Sequence, residues 1–193
     1  MQTTFLELKY IPDGALTEEQ QKYVDFINTN YLSGDHNDPK TIEIIMYDWG
    51  APEDGMFLLF ENEKVIGQVT VLKTLTEYDG QEYCLGGFGG LAVLPEYRGK
   101  GYGRLLAEVA LARAREIGVD VACMCVDMDS GITAFYERLG FKFLNRPAYF
   151  INWADKEKSD DTVMIMGLNN AELADKILNT TGKFHYGKSK GHW

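Results

Sequence analysis

The segment Gly89-Gly90-Leu91-Ala92-Val93-Leu94-Pro95-Glu96-Tyr97-Arg98-Gly99-Lys100-Gly101-Tyr102-Gly103-Arg104-Leu105-Leu106 constrains this chain more than any other. Its apolar start reads as the end of a strand. Pro95 breaks that strand, three alternate glycines turn the chain, and an amphipathic run from Gly103 to Ile117 follows, with Gly118 as its stop. A helix that begins at such a turn offers an anion its free backbone N–H groups and the positive end of its dipole. Glycines let the backbone come close, and Arg98, Lys100 and Arg104 add positive charge, so the segment suits a pyrophosphate. Neither a dinucleotide GxGxxG nor a P-loop GxxxxGK[ST] is present: the glycines fall as GxGxG, several residues past the strand. Taken alone, a turn of this kind also serves chains that merely need to reverse direction.

The rest of the sequence narrows the class. A length of 193 residues suits one domain spanning 1–193, with 183–193 as a possible flexible tail. The formal charge is 19 − 29 = −10, which repels nucleic-acid phosphates and anionic lipid and attracts cations. The expected partners therefore include no nucleic acid and no membrane. No apolar run approaches the ~20 residues that span a bilayer, and Met1 to Tyr10 lacks the features of a secretion signal, so the expected setting is the cytoplasm. Three cysteines without a CxxC pair, and three scattered histidines, suggest neither a disulfide framework nor a metal site. Cys123 and Cys125 share one face of an apolar strand and read as core thiols.

Along the chain, Thr17 to Tyr31 reads as a helix with Thr17 and Gln20 as a capping box. Ser33 to Lys40 reads as a polar loop. Met56–Phe60 and Val65–Leu72 read as a hairpin around Glu61–Lys64, and Thr74–Gln81 as the next turn. Tyr83–Val93 reads as a strand in which Gly86, Gly87, Gly89 and Gly90 signal a bulge or a close approach. In the Gly103–Ile117 helix, Leu105, Val109 and Ala112, joined by Leu106 and Ala110, form the apolar face. Val119–Val126 reads as a buried strand, Ile132–Leu139 as a helix stopped by Gly140, Phe141–Phe143 and Thr162–Gly167 as strands, and Ala171–Leu178 as a last helix. The mixture indicates an α/β (α+β) domain.

Two motifs then carry a resemblance. Leu91-Ala92-Val93, Pro95, Arg98-x-x-Gly101-x-Gly103 and the following helix resemble motif A of the GCN5-related N-acetyltransferase (GNAT) superfamily. Ala134-Phe135-Tyr136-Glu137-Arg138-Leu139-Gly140-Phe141 resembles its motif B, in the right order and with a helix and strand between. The resemblance implies a mixed central sheet with a splayed strand pair, flanked by helices. It implies acetyl-CoA as cosubstrate, its pyrophosphate gripped by backbone N–H groups of Arg98, Gly99, Lys100, Gly101, Tyr102, Gly103 and Arg104. The strand Leu91-Ala92-Val93 would pair with the pantetheine arm, and a backbone N–H there would polarise the thioester carbonyl.

The same resemblance makes Tyr136 the general acid for the departing thiolate, since a phenol with a pKa near ~10 matches a thiol in basicity. It also implies direct attack by the amine, which leaves the cysteines no nucleophilic role. For the general base the residues leave several candidates: Glu82 and Asp127 foremost, with Asp129 and Asp48, or a water chain with no single base. The expected acceptor is a primary amine of a small, cationic molecule. Gly86–Val93 together with Trp193 has a weaker resemblance to the aminoglycoside 2′-N-acetyltransferases. Protein or peptide N-acetylation, and a non-catalytic acyl-CoA sensor, are the alternatives. Many members of the superfamily dimerise, so a homodimer through Asn169–Trp193 is a further expectation.

Overall fold

Two hairpins build the centre of the sheet. In the computed structural model, which describes residues 5–27, 29, 53–126, 128, 131–152 and 155–186, β2 (Glu53–Glu61) turns into β3 (Lys64–Tyr78), and β3 turns into β4 (Gln81–Val93). The turn residues Asn62, Glu63, Asp79 and Gly80 have φ of 48°, 71°, 53° and 75°. Two successive positive values are the mark of the two-residue turn whose twist matches antiparallel strands. The expected turn over Thr74–Gln81 is therefore too long. Thr74–Tyr78 belong to β3, and Asp79-Gly80 alone reverses the chain. Threonine is β-branched and at home in a strand, which outweighs its polarity.

Further strands extend this centre: β1 (Leu6–Pro12), β5 (Val121–Cys125), β6 (Lys142–Phe143) and β9 (Val163–Gly167). The sheet order is β1-β2-β3-β4-β5-β9-β6, antiparallel throughout except for β4 beside β5. A second, three-stranded sheet joins β7 (Ala148–Ile151), β8 (Glu157–Asp160) and β10 (Phe184–His185) in the order β10-β7-β8.

Helices cover both faces. α1 (Glu18–Ile27) starts at the expected capping box: Gln20 N–H donates to Thr17 Oγ1 at 3.2 Å and Thr17 N–H donates to Gln20 Oε1 at 2.9 Å. α2 (Tyr102–Glu116) and α3 (Thr133–Leu139) lie on one face of the large sheet, and α1, α4 (Ala171–Asn179) and the small sheet on the other. The alternation of β2 shows the division: Leu59 packs toward α2, while Met56, Leu58 and Phe60 pack toward α1.

Two expectations need correction. The face of α2 that enters the core consists of Leu106, Ala107, Ala110, Leu111 and Ala114, whereas Leu105 and Ala112 are exposed. Three alanines let the helix approach the sheet closely, a signal that weighting by side-chain size misses. The tail from Lys183 also begins inside the fold. Phe184 and Tyr186 are buried, and β10 pairs parallel with β7. Residues 187–193 lie outside the described residues, as does the expected loop Ser33–Lys40.

Candidate active site

β4 is paired with β3 from Tyr78↔Gln81 to Gly67↔Val93 but with β5 only at Leu85↔Val121 and Gly86↔Ala122. The junction is clamped. Asp120 N–H donates to Cys84 O at 2.8 Å, and Cys84 N–H donates to Asp120 Oδ2 at 2.9 Å. It is also packed tight, since a Cβ on Gly86 would lie 2.6 Å from Leu72 O and 2.6 Å from Val119 Cγ2. Past Gly86 the two strands part. Among the described residues, no strand pairs with that edge of β4. A free strand edge carries unpaired backbone donors and acceptors and accepts another extended chain.

The glycines of β4 explain the rest of its course. Gln68 pairs with Ala92 and Thr70 with Gly89, so Gly90 and Leu91 together oppose Val69 in a bulge. Gly90 has φ of 56°, and its carbonyl accepts from Gln68 Nε2 at 3.4 Å. Bulge and close approach, given as alternatives by the sequence, are both present, the one at Gly90-Leu91 and the other at Gly86.

The turn that follows is open. Gly99 and Gly101 have φ of 76° and 85°, and Gly101 caps α2 without a side-chain hydrogen bond. Backbone conformations that alternate in sign turn successive N–H groups toward one concave side, which suits an anion. A Cβ placed on Gly99, Gly101 or Gly103 would meet nothing within 4 Å. The helical Gly103 is thus required neither by its own backbone nor by its neighbours, and the space beside it is free for a ligand.

The cations are less uniform than the sequence suggests. Arg104 Nε pairs with Glu108 Oε1 at 2.7 Å, and Arg98 Nε donates to Val93 O at 3.0 Å, tying the turn to the strand end. Lys100 Nζ sits 5.0 Å from the Tyr97 ring centre. The turn therefore fits a pyrophosphate chiefly through backbone N–H groups.

Tyr136 stands beside the parted strands. Its ring centre lies 6.2 Å from that of Phe88, the second residue past the junction, and 6.3 Å from that of Phe141. Burial pushes its pKa up, so the phenol keeps its proton at neutral pH. Glu82 is placed differently. It is exposed, opposite Glu77 near the Asp79-Gly80 turn, before the junction and away from the open stretch. Asp127, Asp129 and Asp48 lie outside the described residues. The three cysteines are free, and Cys123 and Cys125 face the same cluster as expected. Burial raises the pKa of the Cys123 thiol, a poor setting for a nucleophile.

The sequence reading passed over one set of residues. Gln68, Thr70, Thr74 and Thr76 are buried along β3. They fall at alternate positions, on the face opposite α2, and Thr70 pairs with the side-chain-free Gly89. Their signal is a period-two polar series in an apolar strand. No helix among the described residues is long and apolar enough to cross a membrane. No group of three or more candidate metal ligands occurs among them either.

Comparison with known proteins agrees with this geometry. A family model described as the Acetyltransferase (GNAT) family matches residues 21–141, more than half of the chain. An uncharacterised N-acetyltransferase of Bacillus subtilis, CgeE, is 36% identical over 56 residues, 29% of this chain and 22% of that protein. The match thus spans about a fifth of that relative's length. Among solved structures, a GNAT family N-acetyltransferase of Escherichia coli (YhbS) in complex with CoA superposes with a TM-score of 0.59 at 18% identity, over 100% of this chain and 92% of that one. A GCN5-related N-acetyltransferase of Kribbella flavida gives 0.53 at 22% identity, over 77% of this chain and 36% of that one. Arabidopsis thaliana NAA60 in complex with a bisubstrate analogue gives 0.55 at 14% identity, over 86% and 99%.

Proposed function

The chain belongs to this acetyltransferase (GNAT) family, and on that premise we propose that it transfers acetyl from acetyl-CoA to a primary amine of a small, cationic acceptor. The observation that carries the reading is the free edge of β4 from Gly87 to Val93, which runs from the contact with Tyr136 to the glycine turn. In this reading the backbone from Arg98 to Arg104 binds the pyrophosphate, with Gly99, Lys100, Gly101, Tyr102 and Gly103 between them. The edge Leu91-Ala92-Val93 holds the pantetheine arm in an extended form.

Acetyl-CoA supplies an activated acyl group on a thiol leaving group. The backbone N–H groups at the bulge are the donors that polarise the thioester carbonyl. Tyr136 holds a proton for the departing sulfur, and its raised pKa favours that state. The acceptor amine must lose a proton before it attacks. Glu82 is distant from the open stretch of β4, so in this reading that proton leaves through Asp127, Asp129 or Asp48, or through water. Thr70 of β3, opposite Gly89 on the open stretch, provides a hydroxyl near it for the acceptor. The formal charge of −10 favours a cation.

Free-thiol release from acetyl-CoA, measured against aminoglycosides, polyamines, amino acids and peptides, tests the reading. Saturable release with one small cationic amine supports it. Release with peptides alone moves the assignment to protein or peptide N-acetylation. Tight CoA binding with no release for any amine indicates a sensor, and absence of both binding and release overturns the reading.

A further inference from the structure

We infer that the outer edge of β1 is a self-pairing surface, on which a second copy of this chain adds its own β1 antiparallel and joins the two large sheets into one. The inference does not depend on the chemistry proposed above. β1 is the terminal strand of the large sheet, and no strand pairs with its outer edge among the described residues.

The direction of its backbone groups can be assigned. Phe5 O accepts from Asn62 N–H at 3.0 Å, Phe5 N–H donates to Asn62 Oδ1 at 3.1 Å, and Asp13 N–H donates to Asp54 O at 3.3 Å. The register with β2 runs without a shift from Leu6↔Glu61 to Pro12↔Gly55. Odd-numbered residues therefore turn their N–H and C=O toward β2, and the even-numbered Leu6, Leu8 and Tyr10 turn theirs outward. An antiparallel partner centred on Leu8 meets all three: Leu6 faces the partner's Tyr10, Leu8 the partner's Leu8, and Tyr10 the partner's Leu6.

The side chains agree with that register. On the other face Glu7 falls opposite the partner's Lys9, Lys9 opposite the partner's Glu7, and Phe5 opposite the partner's Ile11. From Phe5 to Ile11 every cross-strand pair is apolar with apolar or acid with base, the combinations that stabilise a sheet. Neighbouring registers fail. Centring on Glu7 or on Lys9 sets like charges directly opposite each other. Centring on Tyr10 sets Glu7 against the partner's Asp13 and Leu8 against the partner's Pro12, which has no N–H.

Phe5 and Leu6, at the start of the strand, are 64% and 43% exposed, and the partner's Ile11 and Tyr10 would cover them. Within one copy Glu7 and Lys9 pair at 3.0 Å. A lysine on an edge strand often guards against pairing. Here its charge is matched both within the strand and across the twofold, as a closed, isologous contact requires.

Sedimentation of the full chain tests this, with circular dichroism as the check that each variant folds. The wild type should dimerise. Glu7→Lys and Lys9→Glu should each weaken the dimer by about tenfold or more, because the twofold doubles each like-charge clash. The double variant Glu7→Lys/Lys9→Glu should restore it, because the exchanged charges are again complementary. A monomeric wild type, a dimer indifferent to both single changes, or a double variant that stays monomeric would each overturn the inference.

Discussion

The two edges of β4 meet opposite fates. Toward β3 the strand is paired along its whole length, bulge included, and toward β5 for only two positions. Backbone donors and acceptors inside a fold nearly always find partners, and an edge in mid-sheet that no strand pairs among the described residues is suited to receive an extended ligand. The paired edge is what makes the free one usable. Anchored to β3 and clamped to Asp120 at Cys84, the strand keeps its extended shape with no strand paired on the other side among the described residues. The comparison teaches that this site is a gap in pairing, set between rigid elements, rather than a deep pocket.

The largest effect is expected on the free side. Tyr136→Phe keeps the ring contacts with Phe88 and Phe141 and removes only the phenolic proton. Steady-state thiol release should fall by about 100-fold or more in kcat, within the range for a lost general acid, while CoA affinity measured by calorimetry stays level. An unchanged kcat would remove Tyr136 from the chemistry. The pH dependence has a defined sign. Burial raises the folded-state pKa of Tyr136, so its contribution to stability is whole below the unfolded value of about 10 and is lost as pH rises through the folded one. The alkaline fall in activity should accordingly begin above that of an exposed phenol.

At the junction the expected effect is on stability. Gly86→Ala forces a methyl group against Leu72 O and the Val119 side chain. Overpacking of this kind costs about 1–3 kcal/mol, which denaturant titration will read. Residual folded protein should still bind CoA, because Gly86 precedes the free edge. If stability is unchanged, the strands at the junction can part further than the present packing indicates.

Much of this arrangement was legible in the sequence, and the exceptions have physical reasons. The glycine series announced the bulge, because only a special backbone geometry explains so many glycines in one strand. Thr17 and Gln20 announced the start of α1 through their reciprocal capping bonds. β7, β8 and β10 leave little trace in the sequence, since strands this short show little periodicity and exist only where tertiary packing pairs them, and β1 is missed as well because no residue of it is fully buried and its pattern is weak. The C-terminal helix is legible as a helix from its amphipathic pattern, and in the structure Leu173, Ala174 and Ile177 are buried against the chain's own β5 and β9. Amphipathicity marks a face that must be covered and not what covers it. Glu82 is one of several base candidates the sequence offers; position along the strand, which sequence alone does not weigh, places it before the junction.

The smallest effect is the most discriminating, because one substitution should move two measurements in opposite directions. Gly103 lies in the first turn of α2, and a Cβ there meets no atom of the protein within 4 Å. For the free protein, Gly103→Ala relieves the entropic cost of a helical glycine, and thermal unfolding should show a gain of about 0.5–1 kcal/mol. For the complex, the new methyl group occupies the space where a pyrophosphate would approach the helix N-terminus. Calorimetric titration with CoA should then show about tenfold weaker binding, the ~1.4 kcal/mol scale of one impaired hydrogen bond to a charged group. A gain in stability with unchanged affinity would move the anion away from Gly103, toward Gly99 and Gly101. A loss of stability would show that the space beside Gly103 is already filled by the protein itself, and the turn would then be a structural reversal of the chain.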